Sequence, residues 1–158
     1  MANIFVKRLT KELRDFRGNP PTGLSLEAGD DLKCCRIHLE ASQGTVYEGE
    51  KFLLQFKFEE AYPLEAPEVM FIGDCIPLHP HVYSNGHICL SILYDQWSPA
   101  LTVSSVCLSI LSMLSSCTKK ERPQDNAMYV VVYHDCFPLS QEHQLGISRY
   151  TPALRPNQ

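Results

Sequence analysis

The sequence predicts an α+β fold in which an amphipathic helix precedes an antiparallel meander and a second helix follows a long loop. Apolar residues recur at helical spacing near the amino terminus, alternate with polar residues in the middle of the chain, and return to helical spacing after residue 102. The 158 residues suffice for one domain with a sizeable core, and no internal repeat divides them. We therefore expect one compact domain.

The first predicted element is an amphipathic helix over residues 4–16. Charged residues separate its apolar positions, which recur at helical spacing. These positions are Ile4, Phe5, Leu9, Leu13 and Phe16. The run GNPP at residues 18–21 ends the pattern, because proline cannot continue a helix.

Three extended runs follow the helix, rich in apolar residues and partly alternating with polar ones. They contain Ile37 and Leu39, then Phe52, Leu54, Phe56 and Phe58, and finally residues 69–72. Turn-rich segments join consecutive runs, and this arrangement favours an antiparallel meander.

The second helix is predicted to begin near Val103, with apolar residues on one face and uncharged serines on the other. Its apolar face comprises Val106, Cys107, Ile110, Leu111 and Leu114. The lack of charge on the opposite face predicts that the helix is covered on more than one side.

Two segments lack a sustained period. Residues 73–100 form a 28-residue loop before the second helix, and long ordered loops in compact domains are usually functional. Residues 134–158 contain three prolines and mixed polar residues, so we expect a loosely ordered tail after a core domain of residues 1–133.

Composition excludes several classes of function. The net charge is −4, yet residues 7–17 hold five basic residues against two acids, which favours an acidic protein partner over nucleic acid. No apolar run approaches the roughly 18 residues of a membrane helix, and the amino terminus lacks the features of a signal peptide. Seven cysteines, an odd number, favour reduced thiols that mostly lie in the core, in a protein of the cytosol or nucleus.

The long loop contains the run HPHVYSNGHICLSIL, followed after three residues by WSPALT. This pattern resembles the active-site region of ubiquitin-conjugating enzymes, which typically reads H-P-N, a cysteine eight residues after the asparagine, and then W-S-P-A. Cys89 lies eight residues after His81, which stands in the place of that asparagine. The motifs KRLTKEL, YEGEKFLLQFKF and YPLEAP also match the family's layout, so the resemblance spans roughly residues 4–130.

The resemblance implies the fold of these enzymes, with an amino-terminal helix, a four-stranded antiparallel meander, an active-site loop and a central helix. It also implies their activity, in which Cys89 accepts ubiquitin from the activating enzyme as a thioester and passes it to an amine. No cofactor is implied for this chain, because ATP is consumed by the activating enzyme upstream.

Departures from the common pattern point to one class within the family. His81, together with GHICL and SMLSSC-x5-P-x-DN, resembles the W class, which is associated with ubiquitin transfer to the α-amino group of a protein's first residue. The implied substrates are therefore proteins with free amino termini.

Several loop residues are candidates for this chemistry. Cys89 must react as a thiolate, so His81 and His87 are candidates for tuning its pKa, although His87 has the alternative of being a solvated loop residue. His81 is also a candidate to donate a hydrogen bond to the oxyanion of the reaction, as asparagine is thought to do in the family. The residues expected to hold the structure of the loop are His79, Pro80 and Trp97.

Two residues beyond the second helix are weaker catalytic candidates. Asp125 and Asn126 stand where the family often has an acidic or polar residue near the incoming amine. Both types also favour the first position of a helix, so the alternative is that they cap a short helix beginning near Ala127.

The resemblance also implies two kinds of protein partner besides ubiquitin. In the family the amino-terminal helix docks the activating enzyme and, with two loops, a ubiquitin ligase of the RING or U-box type. By position, the residues that carry this role are Lys7, Arg8, Lys11, Leu64, Pro99 and Ala100.

Two other functions compete with this interpretation. A non-catalytic ubiquitin-binding adaptor on the same fold is disfavoured because Cys89 is present. A zinc site at His79, His81, His87 and Cys89 is disfavoured because structural zinc sites usually show C-x2-C or H-x3-H spacing. We therefore predict no metal.

Overall fold

The structure, a computed structural model, describes residues 3–29 and 31–133. The predicted loosely ordered tail, residues 134–158, lies outside the described residues. The elements in chain order are α1 (Ile4–Gly18), β1 (Leu24–Leu26), β2 (Cys34–Glu40), β3 (Lys51–Lys57), β4 (Glu68–Ile72), a 3-10 turn (Ser91–Leu93), α2 (Val103–Ser115) and α3 (Asn126–Val132). This order confirms the predicted α+β fold.

The helix α1 begins where the Asn3 side chain accepts a hydrogen bond from the backbone N–H of Phe5, at 3.1 Å. Its buried stripe is Phe5, Leu9, Leu13 and Phe16. Ile4 was predicted to belong to this stripe, but its side chain is 75% exposed. The prediction is wrong for Ile4 because it lies about 100° around the helix from Phe5, outside the stripe.

The sheet is a meander with strand order β1-β2-β3-β4, and every neighbouring pair is antiparallel. Ile37 pairs with Leu54, and Leu54 pairs with Phe71, so these residues lie on the same face and are all fully buried. The four-stranded sheet is confirmed, including β1, a three-residue strand that the alternation pattern does not reveal.

Thr102 caps the helix α2, because its side chain accepts a hydrogen bond from the backbone N–H of Ser105. Its buried residues are Val103, Val106, Cys107, Ile110 and Leu114. We expected other residues to cover α2 on more than one side. This expectation is wrong at Leu108, whose side chain is 47% exposed. No helix among the described residues is both long and apolar enough to cross a membrane.

The described cysteines are all free, and they differ in burial. Cys35 and Cys107 lie in the core as expected, whereas Cys75 is exposed. Cys75 is an exception to the expectation that most cysteines lie in the core, because it belongs to the exposed loop after β4.

Candidate active site

The loop that carries the predicted nucleophile is folded against β4 by backbone hydrogen bonds. Gly86 accepts a bond from the N–H of Phe71 at 2.9 Å and donates its own N–H to the carbonyl of Tyr83 at 2.9 Å. The backbone N–H of Tyr83 donates in turn to the carbonyl of His87 at 2.9 Å. A tight turn therefore precedes Cys89 and fixes where the chain enters the site.

Cys89 itself lies at the end of this turn, half-buried. Its backbone N–H donates to the carbonyl of His81 at 2.8 Å. The hydroxyl of Tyr94 donates to the carbonyl of Ile88 at 2.9 Å, so the peptide just before Cys89 is also held. Both bonds hold the peptide that joins Ile88 to Cys89, so the partly accessible thiol lies on a backbone that is fixed on its amino-terminal side.

The pKa of the Cys89 thiol is raised, first by burial and then by the carboxylate of Asp125. Burial lowers the pKa of His87, which keeps its imidazole neutral at pH 7. His87 therefore offers no positive charge to a thiolate. The shift at Cys89 is opposite to the lowering that a nearby imidazolium produces.

This shift predicts the pH dependence of thiol reactivity. Only the thiolate reacts, so a raised pKa delays alkylation of Cys89 to higher pH. Asp125→Asn removes a negative charge that raises the pKa, and we expect the midpoint of the alkylation profile to move to lower pH. Iodoacetamide labelling from about pH 6 to 10, followed by peptide mass spectrometry, measures this midpoint.

The exposed Cys75 thiol is the internal reference for that experiment. Its profile should be the same in both proteins, and the plateau rate at Cys89 should also be unchanged. A Cys89 midpoint that stays in place, or moves to higher pH, would contradict the assigned role of Asp125.

His79 is buried beneath the loop, with both ring nitrogens in use. One of them, Nδ1, accepts the backbone N–H of His81 at 2.9 Å, while Nε2 lies 3.2 Å from the carbonyl of Met113 and donates to it in this tautomer. The ring also stacks on Tyr47, with centroids 6.4 Å apart. His79 thus joins the loop to α2 and to the core.

These contacts bear on the zinc alternative. The two hydrogen bonds of His79 leave it no ring nitrogen for a metal ion, and His87 uses Nδ1 in a contact with the hydroxyl of Tyr129 at 3.1 Å. Within residues 3–29 and 31–133 no group of three or more His, Cys, Asp or Glu side chains is arranged to hold a metal.

The imidazole of His81 is exposed and tilted against the ring of His79, with centroids 5.6 Å apart. No hydrogen bond joins the His81 side chain to another residue in the described part of the chain. Its ring N–H is therefore available to solvent or to a bound group.

Asp125 and Asn126 contact the turn that precedes Cys89. The Asn126 side chain accepts the backbone N–H of Ser84 at 2.8 Å and donates to the Ser84 hydroxyl at 3.2 Å. The Asp125 carboxylate accepts the hydroxyl of Tyr83 at 3.4 and 3.5 Å. Asp125 directly precedes α3, but its side chain makes no capping hydrogen bond. The alternative that the Asp125 side chain caps this helix is therefore wrong.

An aromatic stack attaches α3 to the site. The ring centroids of Tyr83 and Tyr129 lie 3.6 Å apart with an angle of 11° between the planes, and the His87 ring is nearly perpendicular to Tyr129, with centroids 5.8 Å apart. No residue of α3 is fully buried, so this stack and the bonds of Asn126 attach the helix to the loop. His87 is half-buried within the stack, which is at odds with a solvated loop residue.

Arg122 is a structural residue of the site that the sequence analysis missed. Its guanidinium donates to the carbonyls of Ile76 at 3.2 Å, Val82 at 3.1 Å and Pro77. A lone arginine after α2 has no periodic or motif signal, because its partners are backbone carbonyls about forty residues earlier in the chain.

The residues predicted to bind partner proteins lie on exposed parts of α1 and two loops. Leu64 is 76% exposed, and the side chains of Lys7, Lys11, Pro99 and Ala100 are also exposed. Trp97 connects the two loops by donating its ring N–H to the carbonyl of Pro63 at 2.9 Å.

Arg8 differs from the other predicted binding residues. Its guanidinium donates to the carbonyls of Pro99 at 2.8 Å and Leu101 at 2.9 Å, so it holds the loop that carries Pro99. The structure therefore brings α1 and both loops together on one side of the domain.

The comparisons with known proteins agree with this architecture. The sequence matches the family model described as "Ubiquitin-conjugating enzyme" over residues 8–142. Its fold is similar to a crystal structure of the ubiquitin-conjugating enzyme E2 UbcA1 from Agrocybe aegerita, with a TM-score of 0.81 and 44% identity. That similarity covers 85% of this chain and 98% of the other.

Curated relatives narrow the similarity to one class. A Dictyostelium discoideum protein named probable ubiquitin-conjugating enzyme E2 W is 61% identical over 82% of this chain and 87% of its own length. A Danio rerio protein named probable ubiquitin-conjugating enzyme E2 W-A is 60% identical over 78% of this chain and 84% of its own length. The chain therefore belongs to the ubiquitin-conjugating enzyme family, and within that family to the W class.

Proposed function

We propose that this enzyme carries ubiquitin as a thioester on Cys89 and transfers it to the α-amino group of protein substrates, assisted by a ligase of the RING or U-box type. The observation that carries the proposal is a half-exposed thiol, at the cysteine of the family motif, on a backbone fixed by His81 and by the Tyr94 hydroxyl. The odd number of cysteines keeps the cytosol or nucleus as the expected location.

The first step is the loading of Cys89. Its thiolate attacks the carboxyl-terminal carbonyl of ubiquitin that the activating enzyme presents, a new S–C bond forms, and the bond to the activating enzyme breaks. The raised pKa of Cys89 has a second effect, because a thiol of higher pKa is a poorer leaving group. The raised pKa therefore slows the loss of ubiquitin from the thioester to any acceptor.

In the second step a neutral amine attacks the thioester carbonyl. The N–C bond forms, the C–S bond breaks so that Cys89 leaves as a thiolate, and the amine nitrogen gives up a proton to solvent. The unengaged imidazole N–H of His81 is the proposed donor to the oxyanion that develops on the carbonyl.

The preference for an α-amine follows from amine pKa values. An α-amine has a pKa of about 7.7 to 8.0 and lysine about 10.4, so at pH 7 roughly a tenth of α-amines are neutral against about 0.04% of lysines. The two polar side chains expected near the incoming amine already have partners, because Asp125 accepts the Tyr83 hydroxyl and Asn126 binds Ser84. The site is thus better suited to an amine that is already neutral than to one that needs deprotonation.

Two matched peptides test this preference. Both contain one lysine, and they differ only in whether the amino terminus is free or acetylated. We expect single-turnover discharge of the wild-type thioester to be at least about tenfold faster with the free terminus at pH 7, and mass spectrometry should place ubiquitin on the α-amine. Equal discharge with both peptides, on lysine, would overturn the α-amine proposal.

A further inference from the structure

Glu12 is an acidic residue of α1 whose side chain is only 8% exposed. Its carboxylate accepts the hydroxyl of Tyr62 at 2.9 and 3.0 Å and the backbone N–H of Val103 at 2.8 Å. It also accepts the Nε–H of Arg8, one turn earlier on the same helix. A carboxylate with this little exposure and this many donors makes strong, charge-assisted hydrogen bonds.

The donors to Glu12 come from the segments that carry the exposed partner-binding residues. We name them the Leu64 loop (residues 59–67) and the WSPA loop (residues 97–102). Tyr62 belongs to the Leu64 loop, and Val103 directly follows the WSPA loop as the first residue of α2. The negative charge of Glu12 at the amino end of α2 is also favourable for the helix dipole.

Arg8 extends this set of contacts. While its Nε–H is bound by Glu12, its terminal nitrogen donates to the carbonyls of Pro99 and Leu101 in the WSPA loop at 2.8 and 2.9 Å. The carboxylate thus orients the guanidinium, and the guanidinium fixes the loop. Tyr62 also packs against Trp97, with centroids 5.9 Å apart, so the two loops contact each other as well as Glu12.

We infer that Glu12 and Arg8 are positioning residues, which set the places of the Leu64 loop and the WSPA loop relative to α1 for ligase binding. Glu12 has too little exposure to contact a partner strongly, whereas Leu64 is 76% exposed and Pro99 lies at the surface. A partner that contacts α1 and both loops at once requires a fixed spacing among them. The inference rests on the proposed function, because it takes that partner to be a RING or U-box ligase.

Glu12→Gln tests the inference, because glutamine keeps the shape but loses the charge. The probe is a RING domain that stimulates the wild-type protein, titrated into preformed ubiquitin thioester with a free-terminus peptide as acceptor. We expect the RING concentration at half-maximal discharge to rise at least about tenfold. The ratio of stimulated to basal discharge at low RING concentration should fall correspondingly.

Asp15→Asn is the matched control. Asp15 is on the same helix and undergoes the same loss of charge, but its side chain is 59% exposed. We expect its half-saturating concentration to equal that of wild type. Arg8→Lys should also raise the RING concentration at half-maximal discharge, because lysine cannot span the carboxylate and two carbonyls. The rise should be smaller than for Glu12→Gln, because lysine keeps the positive charge beside Glu12.

The outcomes separate positioning from a merely structural role. A loss of folded protein lowers maximal discharge and leaves the half-saturating concentration unchanged, and that result would overturn the inference. Should Glu12→Gln fail to fold, Tyr62→Phe removes a single donor, and the absence of any shift in that variant would overturn it equally. If no RING or U-box domain stimulates wild-type thioester, the ligase part of the proposed function fails, and this inference fails with it.

Discussion

Gly86→Ala is expected to destabilise the protein by about 4 kcal/mol, a large effect for one methyl group. Gly86 has φ +91°, a conformation that L side chains rarely adopt. A Cβ atom there would lie 1.9 Å from the carbonyl oxygen of Phe71. That oxygen belongs to β4 and cannot retreat without disturbing the sheet, and the Phe71 N–H that binds Gly86 would lose its partner.

Gly44→Ala separates the two contributions to this cost. Gly44 has φ +75° but nothing within 4 Å of an added Cβ, so its substitution should cost only about 1–2 kcal/mol. Urea denaturation of both variants measures the two losses. Equal losses would show that the close approach of the loop to β4 does not exist, and would remove the basis for the fixed backbone before Cys89.

The helices and longer strands were predictable because their burial follows a simple period. The stripe of α1 recurs at helical spacing, and the buried residues of β3 alternate along the strand. Ile4 was wrongly placed in the stripe because it lies about 100° around the helix from Phe5, although the helix does begin at Ile4 as predicted. The fourth strand, β1, was expected only from the family resemblance, because three residues are too few to show alternation.

The order within the long loop could not be predicted in this way. It depends on side chains that bind distant backbone carbonyls, such as Arg122 on Val82 and Tyr47 on Leu78. Such bonds leave no periodic trace in the sequence, since any donor of the right length at the right place suffices. The motif around Cys89 located the loop, while only the structure shows how it is held.

Glu12 was missed for a related reason. A charged residue between apolar positions of an amphipathic helix is normally assigned to the solvent face. Glu12 lies at the edge of the buried stripe, where the amino end of α2 and the Tyr62 hydroxyl cover it. Its burial is a tertiary property, which the sequence of α1 does not contain.

Thiol reactivity alone does not select the nucleophile among the described cysteines. Cys75 is more exposed than Cys89, whereas burial raises the pKa of Cys35 to about 12 and makes it inert. We therefore expect Cys89 to be selected by where its thiol is presented, at the end of the turn held by Gly86 and within the electrostatic influence of Asp125. The central question is therefore which cysteine accepts ubiquitin.

Cys89→Ala is expected to abolish loading completely, because no other described thiol lies in this setting. Cys89→Ser should retain a slow reaction through its hydroxyl and give an ester that resists thiol reagents. Cys75→Ser removes the most exposed of the described thiols and should load at the wild-type rate.

Intact-mass analysis after incubation with activating enzyme, ATP and ubiquitin tests this claim most directly. The wild-type chain should gain the mass of one ubiquitin less one water, and dithiothreitol should reverse the gain. Cys89→Ser should show the same gain without reversal, and Cys89→Ala should show none. A reversible ubiquitin adduct on the Cys89→Ala protein would contradict the account.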